Sequence, residues 1–185
     1  MVAFHTNGYS ETMPFAITLR FDPDTARAIE RLWDALDAAG IDNDRKTLGY
    51  AAHITLAIYP EGTPREPLRA VVDRLGSQWP ALAFGLSGCG IFPGPPAILF
   101  AAPVATQALL ARQAEMVEAL PDFPVSVHYR SGHWVPHVTL SGPLRQPETA
   151  LAAVLPLWRP IDGALVGLDL VRFRPVEVLA SHALR

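Results

Sequence analysis

His53-Ile54-Thr55-Leu56 and His137-Val138-Thr139-Leu140 are two copies of one tetrapeptide pattern, one in each half of the chain. In a β-strand, side chains two apart share a face, so each histidine stands beside its threonine. Ile54, Leu56, Val138 and Leu140 turn to the opposite face, where burial fixes the register. One copy alone reads as a strand-edge histidine with an ordinary hydrogen bond. With 6 histidines in 185 residues, two copies arise by chance in roughly one shuffled sequence per thousand. The pair reads as a site: one imidazole and one hydroxyl from each half, facing across a groove if the halves pack about a twofold axis.

The surrounding elements fall in a recurring order. The alternation of Phe15, Ile17, Leu19 and Phe21 predicts a strand over 15–21. Asp22-Pro23-Asp24 is a helix start, Ile29, Leu32, Trp33 and Leu36 recur at helical spacing, and Gly40 stops the helix. Residues 41–50 read as a polar loop and 53–59 as a strand. Thr63-Pro64-Arg65-Glu66 has the form of a capping box opening a helix with Leu68, Val71, Val72 and Leu75. A strand over 83–92 follows, loosened by Gly85, Gly88 and Gly90. The second half repeats this: a strand over 97–104, a helix capped by Thr106, a strand over 136–140, a short helix over 147–155, and strands over 165–173 and 176–184. The repeat is near 80 residues, and Phe92-Pro93-Gly94-Pro95-Pro96 is its seam. The expected organisation is an arm over 1–14 and a single domain over 15–185, with halves of about 15–92 and 97–184.

Composition narrows the class. Half the residues are hydrophobic and 18% are charged, with mean hydropathy +0.19, enough apolar material for a substantial core. No apolar stretch approaches the ~18 residues that span a bilayer. The opening residues lack a basic region and carry polar interruptions, so they do not read as a signal peptide. The single Cys89 cannot form an internal disulfide, and a cytoplasmic monomer with no membrane contact is expected. A net charge of −3 gives no broad attraction to nucleic acid and excludes a duplex DNA partner, but leaves room for a site that takes a nucleotide end.

The sequence resembles the 2H phosphoesterase superfamily, in particular its 2′-5′ RNA ligase and cyclic phosphodiesterase branch. The resemblance rests on the paired H-x-T-L tetrapeptides, on Trp134-Val135-Pro136 before the second, and on Gly90-Ile91-Phe92-Pro93 before the second half. It implies an α+β fold, bilobal and pseudo-symmetric, each lobe an antiparallel-type sheet with outer helices and the active groove between them. It also implies a metal-independent, cofactor-free site made by His53, Thr55, His137 and Thr139. Many relatives carry a basic residue just after the second tetrapeptide, where this chain has Ser141-Gly142. How a longer RNA would be held is therefore left open.

The residue types suit that chemistry independently. Opening a 2′,3′-cyclic phosphate needs one group to take a proton from water and another to give one to the leaving ribose oxygen. Two groups titrating near neutrality supply both. Threonine hydroxyls donate to non-bridging phosphate oxygens. The expected substrate is a nucleotide cyclic phosphate or an RNA end, hydrolysed or, in reverse, joined.

Six further residues are candidates for substrate contact: Arg130 and Arg20 for phosphate, Tyr50, Phe92 and Trp134 for a nucleobase, and His133 as groove lining. Each has a plainer reading, as solvated loop arginines or as packing under the loop. Two other functions compete. A non-catalytic nucleotide or RNA-end binding module would keep the fold without needing two titratable groups. A metal hydrolase using His133 and His137 would spend His137 as a ligand, and Pro136 breaks any helix that could align the two.

Overall fold

Alternating burial makes Phe15–Phe21 (β1) the strand that its pattern predicts, with Ile17 and Leu19 fully buried. The computed structural model describes residues 14–41 and 44–185; the expected arm, apart from Pro14, lies outside the described residues. Helix α1 (Pro23–Ala38) starts where Asp22 accepts the backbone N–H groups of Asp24 and Thr25, both at 3.0 Å. The second carboxylate oxygen of Asp22 takes the Thr25 hydroxyl at 2.7 Å and the Ala164 N–H at 2.8 Å, tying the helix start to the sheet. At the other end Gly40 adopts φ 72°, and the Gly40 and Ile41 N–H groups bond back to Asp37 and Leu36. That left-handed closure is the reason for a glycine there.

Besides shifted strand ends, with the strands expected over 136–140 and 165–173 displaced to Val138–Leu144 and Ile161–Arg172, two local expectations differ from the structure. The polar loop contains a one-turn helix, α2 (Asp44–Thr47), ahead of β2 (His53–Tyr59). The capping box does not form. Pro64 is the N-cap of α3 (Arg65–Gln78) without a side-chain bond, and Thr63 is instead buried, its N–H on the Pro60 carbonyl. The remaining elements are β3 (Leu82–Phe92), β4 (Ala97–Pro103), α4 (Gln107–Glu118), a 3-10 turn at Val127–Tyr129, β5 (Val138–Leu144), α5 (Pro147–Val154), β6 (Ile161–Arg172) and β7 (Glu177–Ala183). Thr106 caps α4 as expected, accepting the Leu109 N–H. No helix among the described residues is long and apolar enough to cross a membrane.

The strands form one antiparallel sheet in the order β2-β1-β6-β3-β4-β5. The long β6 pairs β1 along one edge; along the other it pairs β3 with its first residues and β7 with its last. Each half therefore lends a strand to the other, since β3 lies beside β4 and β6 beside β1. Each tetrapeptide strand pairs with the opening strand of its own half. Thr18 lies opposite Thr55 and Arg20 opposite His53, while Phe100 lies opposite Thr139. The two ends of the strand order meet, because β2 touches β5. The tetrapeptide strands are thus far apart along the sheet and adjacent in space.

Candidate active site

His53 opens β2, and His137 immediately precedes β5. Ile54, Leu56, Val138 and Leu140 are all buried, whereas His53, Thr55, His137 and Thr139 are half-buried on the other face. Both imidazoles are held identically. His53 Nδ1 lies 2.8 Å from the Ala51 carbonyl, and His137 Nδ1 lies 2.8 Å from the Val135 carbonyl, two residues back in each case. A carbonyl only accepts, so Nδ1 carries the proton and Nε2 of each ring is left for a substrate.

Two tryptophans tie the halves together across the site. Trp134 donates its indole N–H to the Thr55 carbonyl at 3.0 Å, and Trp33 of α1 donates to the Thr139 carbonyl at 3.3 Å. Each tetrapeptide is therefore held by an indole from the opposite half. The chain ahead of the second tetrapeptide also runs along β2, through the Ser126 N–H on the Ile58 carbonyl. Gln113 of α4 spans the Leu56 and Tyr129 carbonyls. This places Tyr129 against Thr55, with their side chains hydrogen-bonded; burial pushes the Tyr129 phenol up to about 12.

The two histidines have different surroundings. Beneath His53 is a buried polar network centred on Asp169, which is 1% exposed. It takes the Tyr50 hydroxyl at 2.8 Å, Arg20 Nε at 2.6 Å and the Ser181 hydroxyl at 2.7 Å. Thr18 shares the Tyr50 hydroxyl at 2.6 Å. Beside His137 the neighbours are apolar: Phe92 meets its ring edge-on at 5.1 Å, and Phe100 stacks on Phe92 at 4.3 Å. Burial pushes His53 down to about 4, against the Ala51 carbonyl, with the positive charges of Arg45 and His137 adding to the effect. Burial also lowers His137, against the Val135 carbonyl. The two rings are close enough for the charge of one to disfavour the charge of the other.

A pocket lined by Trp33, Arg45, Leu48, Tyr50, His53 and Thr139 takes one residue from each tetrapeptide. A family model for the 2′-5′ RNA ligase superfamily matches residues 21–176, which takes in both tetrapeptides and most of the sheet. The chain belongs to the 2′-5′ RNA ligase superfamily. No curated protein sequence matches it significantly. Its fold is shared by solved structures at low identity. The Thermus thermophilus protein TT0787 is 18% identical with a TM-score of 0.62, over 94% of this chain and 98% of that one. Escherichia coli LigT complexed with 3′-AMP is 16% identical with a TM-score of 0.63, over 94% and 99%. Kluyveromyces marxianus Usb1 is 14% identical with a TM-score of 0.51, over 96% and 100%.

Against this superfamily fold the other sequence candidates fall into two groups. Tyr50 and Phe92 adjoin the histidines, Tyr50 with its ring 4.9 Å from His53. Its hydroxyl is spent on Asp169 and Thr18. Arg20 is engaged with Asp169 and, through Nη2, with Ser181 at 3.0 Å. Trp134 is 8% exposed, packed under the site with its N–H committed to Thr55. Arg130 and His133 are exposed and do not line the pocket. Among the described residues no group of three or more His, Cys, Asp or Glu side chains is placed to hold a metal ion. Ser141 is fully buried, so no side chain reaches the groove from that position. Sequence reasoning missed Trp33, Arg45, Tyr129 and Asp169. Asp169 alone left a signal, as an acid inside the apolar run Gly167-Leu168-Asp169-Leu170-Val171.

Proposed function

We propose that the protein is a metal-independent two-histidine phosphoesterase acting on 2′,3′-cyclic or 2′-5′-linked nucleotide phosphate esters. The observation that carries this reading is the matched tethering of His53 and His137 through Nδ1, which leaves Nε2 of each ring available to a substrate. A binding module has no use for two equivalent titratable nitrogens. Family membership supports a phosphoesterase or RNA-ligase-like activity, and the 3′-AMP bound to LigT supports a nucleotide as the ligand class.

In this mechanism His53, pushed down to about 4 by burial, accepts a proton from water at Nε2. The water oxygen attacks phosphorus in line, the bond to one ribose oxygen breaks, and His137 gives that oxygen its proton. The positive charge of Arg45 disfavours an imidazolium at His53, which suits His53 to the role of base. The Thr55 and Thr139 hydroxyls donate to the non-bridging phosphate oxygens. In the reverse direction the two histidines exchange roles. A screen of 2′,3′-cyclic mononucleotides, 2′-5′ oligoadenylates, ADP-ribose cyclic phosphate and RNA with cyclic ends, run with chelator present, tests the reading. Turnover of at least one class is expected. Binding without turnover of any would favour the non-catalytic module.

A further inference from the structure

Three residues before each tetrapeptide histidine stands an aromatic residue, Tyr50 ahead of His53 and Trp134 ahead of His137. The next residue in each case, Ala51 or Val135, supplies the carbonyl that holds the imidazole through Nδ1 at 2.8 Å. Both aromatics are tied down by their polar heads. The Trp134 indole donates to the Thr55 carbonyl at 3.0 Å. The Tyr50 hydroxyl donates to Asp169 Oδ2 at 2.8 Å, and with its one proton so used it accepts from the Thr18 hydroxyl at 2.6 Å.

The chain from Tyr50 to Ala52 belongs to no helix or strand, and Ala51 is exposed, so packing alone does not hold its carbonyl. The anchor for Tyr50, by contrast, is built into the sheet. Thr55, Thr18, Asp169 and Ser181 lie opposite one another in register across β2, β1, β6 and β7. Thr18 and Asp169 are both buried. The Asp169 carboxylate is fixed in turn, by Arg20 Nε at 2.6 Å and by the Ser181 hydroxyl at 2.7 Å on its other oxygen. Burial and the Asp169 charge push the Tyr50 phenol well up, so it keeps its proton and serves as a donor. Its ring leans on the imidazole, with 4.9 Å between centroids.

We infer that Tyr50 is the positioning residue of His53: latched to Asp169 and Thr18, it holds the Ala51 carbonyl where that carbonyl fixes the proton on Nδ1 and leaves Nε2 as the base. The inference rests on the two-histidine reading, in which Nε2 of His53 takes the proton from water. A neutral imidazole carries one proton, and the bond made by one nitrogen decides where it sits. With the proton on Nε2 instead, the ring has no lone pair to offer the water there. In serine proteases, disabling the group that orients the catalytic histidine costs about 10⁴ in kcat through the wrong tautomer. Tyr50→Phe leaves the Ala51 carbonyl present but unfastened, so a smaller fall in kcat is expected, about 10–100-fold. KM should stay within about threefold, because Thr55 and Thr139 keep their hydroxyls for the phosphate.

Nitrogen–proton correlation NMR of the imidazoles, on the intact isotope-labelled protein near neutral pH, reads the tautomer without relying on turnover. The His53 signals are assigned by their loss in His53→Asn. The natural chain should show His53 with its proton on Nδ1, and Tyr50→Phe should show a mixture with a clear share on Nε2, together with the fall in kcat. Thr18→Val removes one of the two bonds to the Tyr50 hydroxyl and should move both readouts the same way by less; it carries the test if Tyr50→Phe does not fold. Ser181→Ala removes a bond to the far oxygen of Asp169 and should leave the His53 tautomer as in the natural chain. A His53 that keeps its proton on Nδ1 in the folded Tyr50→Phe protein overturns the inference. So does a Ser181→Ala protein with the same mixture as Tyr50→Phe, which would make the whole network a structural support. Failure of the underlying reading shows separately, as absence of turnover of every cyclic mononucleotide by the natural chain, because the tautomer is read in the free protein.

Discussion

Replacing Trp134 by phenylalanine removes one N–H and keeps most of a buried ring. The lost bond is the 3.0 Å contact to the Thr55 carbonyl, which joins the second half to the strand carrying His53. A part-buried carbonyl left without its donor costs about 1–2 kcal/mol. For a chain of 185 residues, at about 2–4 °C per kcal/mol, the melting temperature should fall by about 2–8 °C. The kinetic effect should be larger than the stability effect. Thr55 and His53 ride on the same strand, and a misplacement near 1 Å in reacting geometry costs about 10²-fold. We expect kcat on a 2′,3′-cyclic mononucleotide to fall about 10–100-fold with KM within about threefold, since ground-state phosphate contacts persist. Trp33→Phe removes the longer 3.3 Å bond to Thr139 and should act in the same direction more weakly. Paired melting curves and steady-state kinetics on the two variants measure this. A lowered melting temperature with unchanged kcat would refute the claim that the indoles set the spacing of the catalytic strands.

Three further outcomes follow from the site. With His53 near 4 and His137 also lowered, both rings are neutral at pH 7 in the free protein. The singly protonated pair grows as pH falls, so kcat/KM should climb below pH 7, with its basic limb at or below about 6.5; a basic limb above pH 7 would contradict the burial argument. The same shift lowers stability as pH drops from about 6.5 toward 4, because the unfolded chain takes the His53 proton first, and His53→Asn should flatten that slope in acid-unfolding curves. Asp169→Ala leaves Arg20, Tyr50 and Ser181 without their shared acceptor and should destabilise by about 3 kcal/mol in urea titration; a loss under about 1 kcal/mol would mean that water replaces the carboxylate.

Much of this fold was legible because its signals are local. The period of two in Phe15–Phe21 and His53–Tyr59 places the histidines on one face, and the Asp22, Gly40 and Thr106 signals each appear as caps. The parts that were not legible depend on distant partners. Strand β6 begins at Ile161, four residues before the expected 165, because its first residues pair with β3, and nothing in Ile161-Asp162-Gly163 announces a partner about 80 residues earlier. Thr63 has the spacing of a capping box, but its side chain is drawn into the interior. Within the candidate site, repetition alone points to His53, Thr55, His137 and Thr139. Arg45 and Trp33 were not, since they come from the loop and helix ahead of β2, and only the meeting of β2 with β5 brings them to the second tetrapeptide.

The most direct measurement is turnover of a 2′,3′-cyclic mononucleotide, in the presence of EDTA, by the natural chain and by His53→Ala and His137→Ala. The account predicts an EDTA-insensitive rate in the natural chain and a loss of about 10²–10⁴-fold in each variant, with the fold intact by circular dichroism. Near-natural turnover by either variant would contradict it. A rate that collapses in EDTA and returns with Zn²⁺ or Mn²⁺ would contradict it as well.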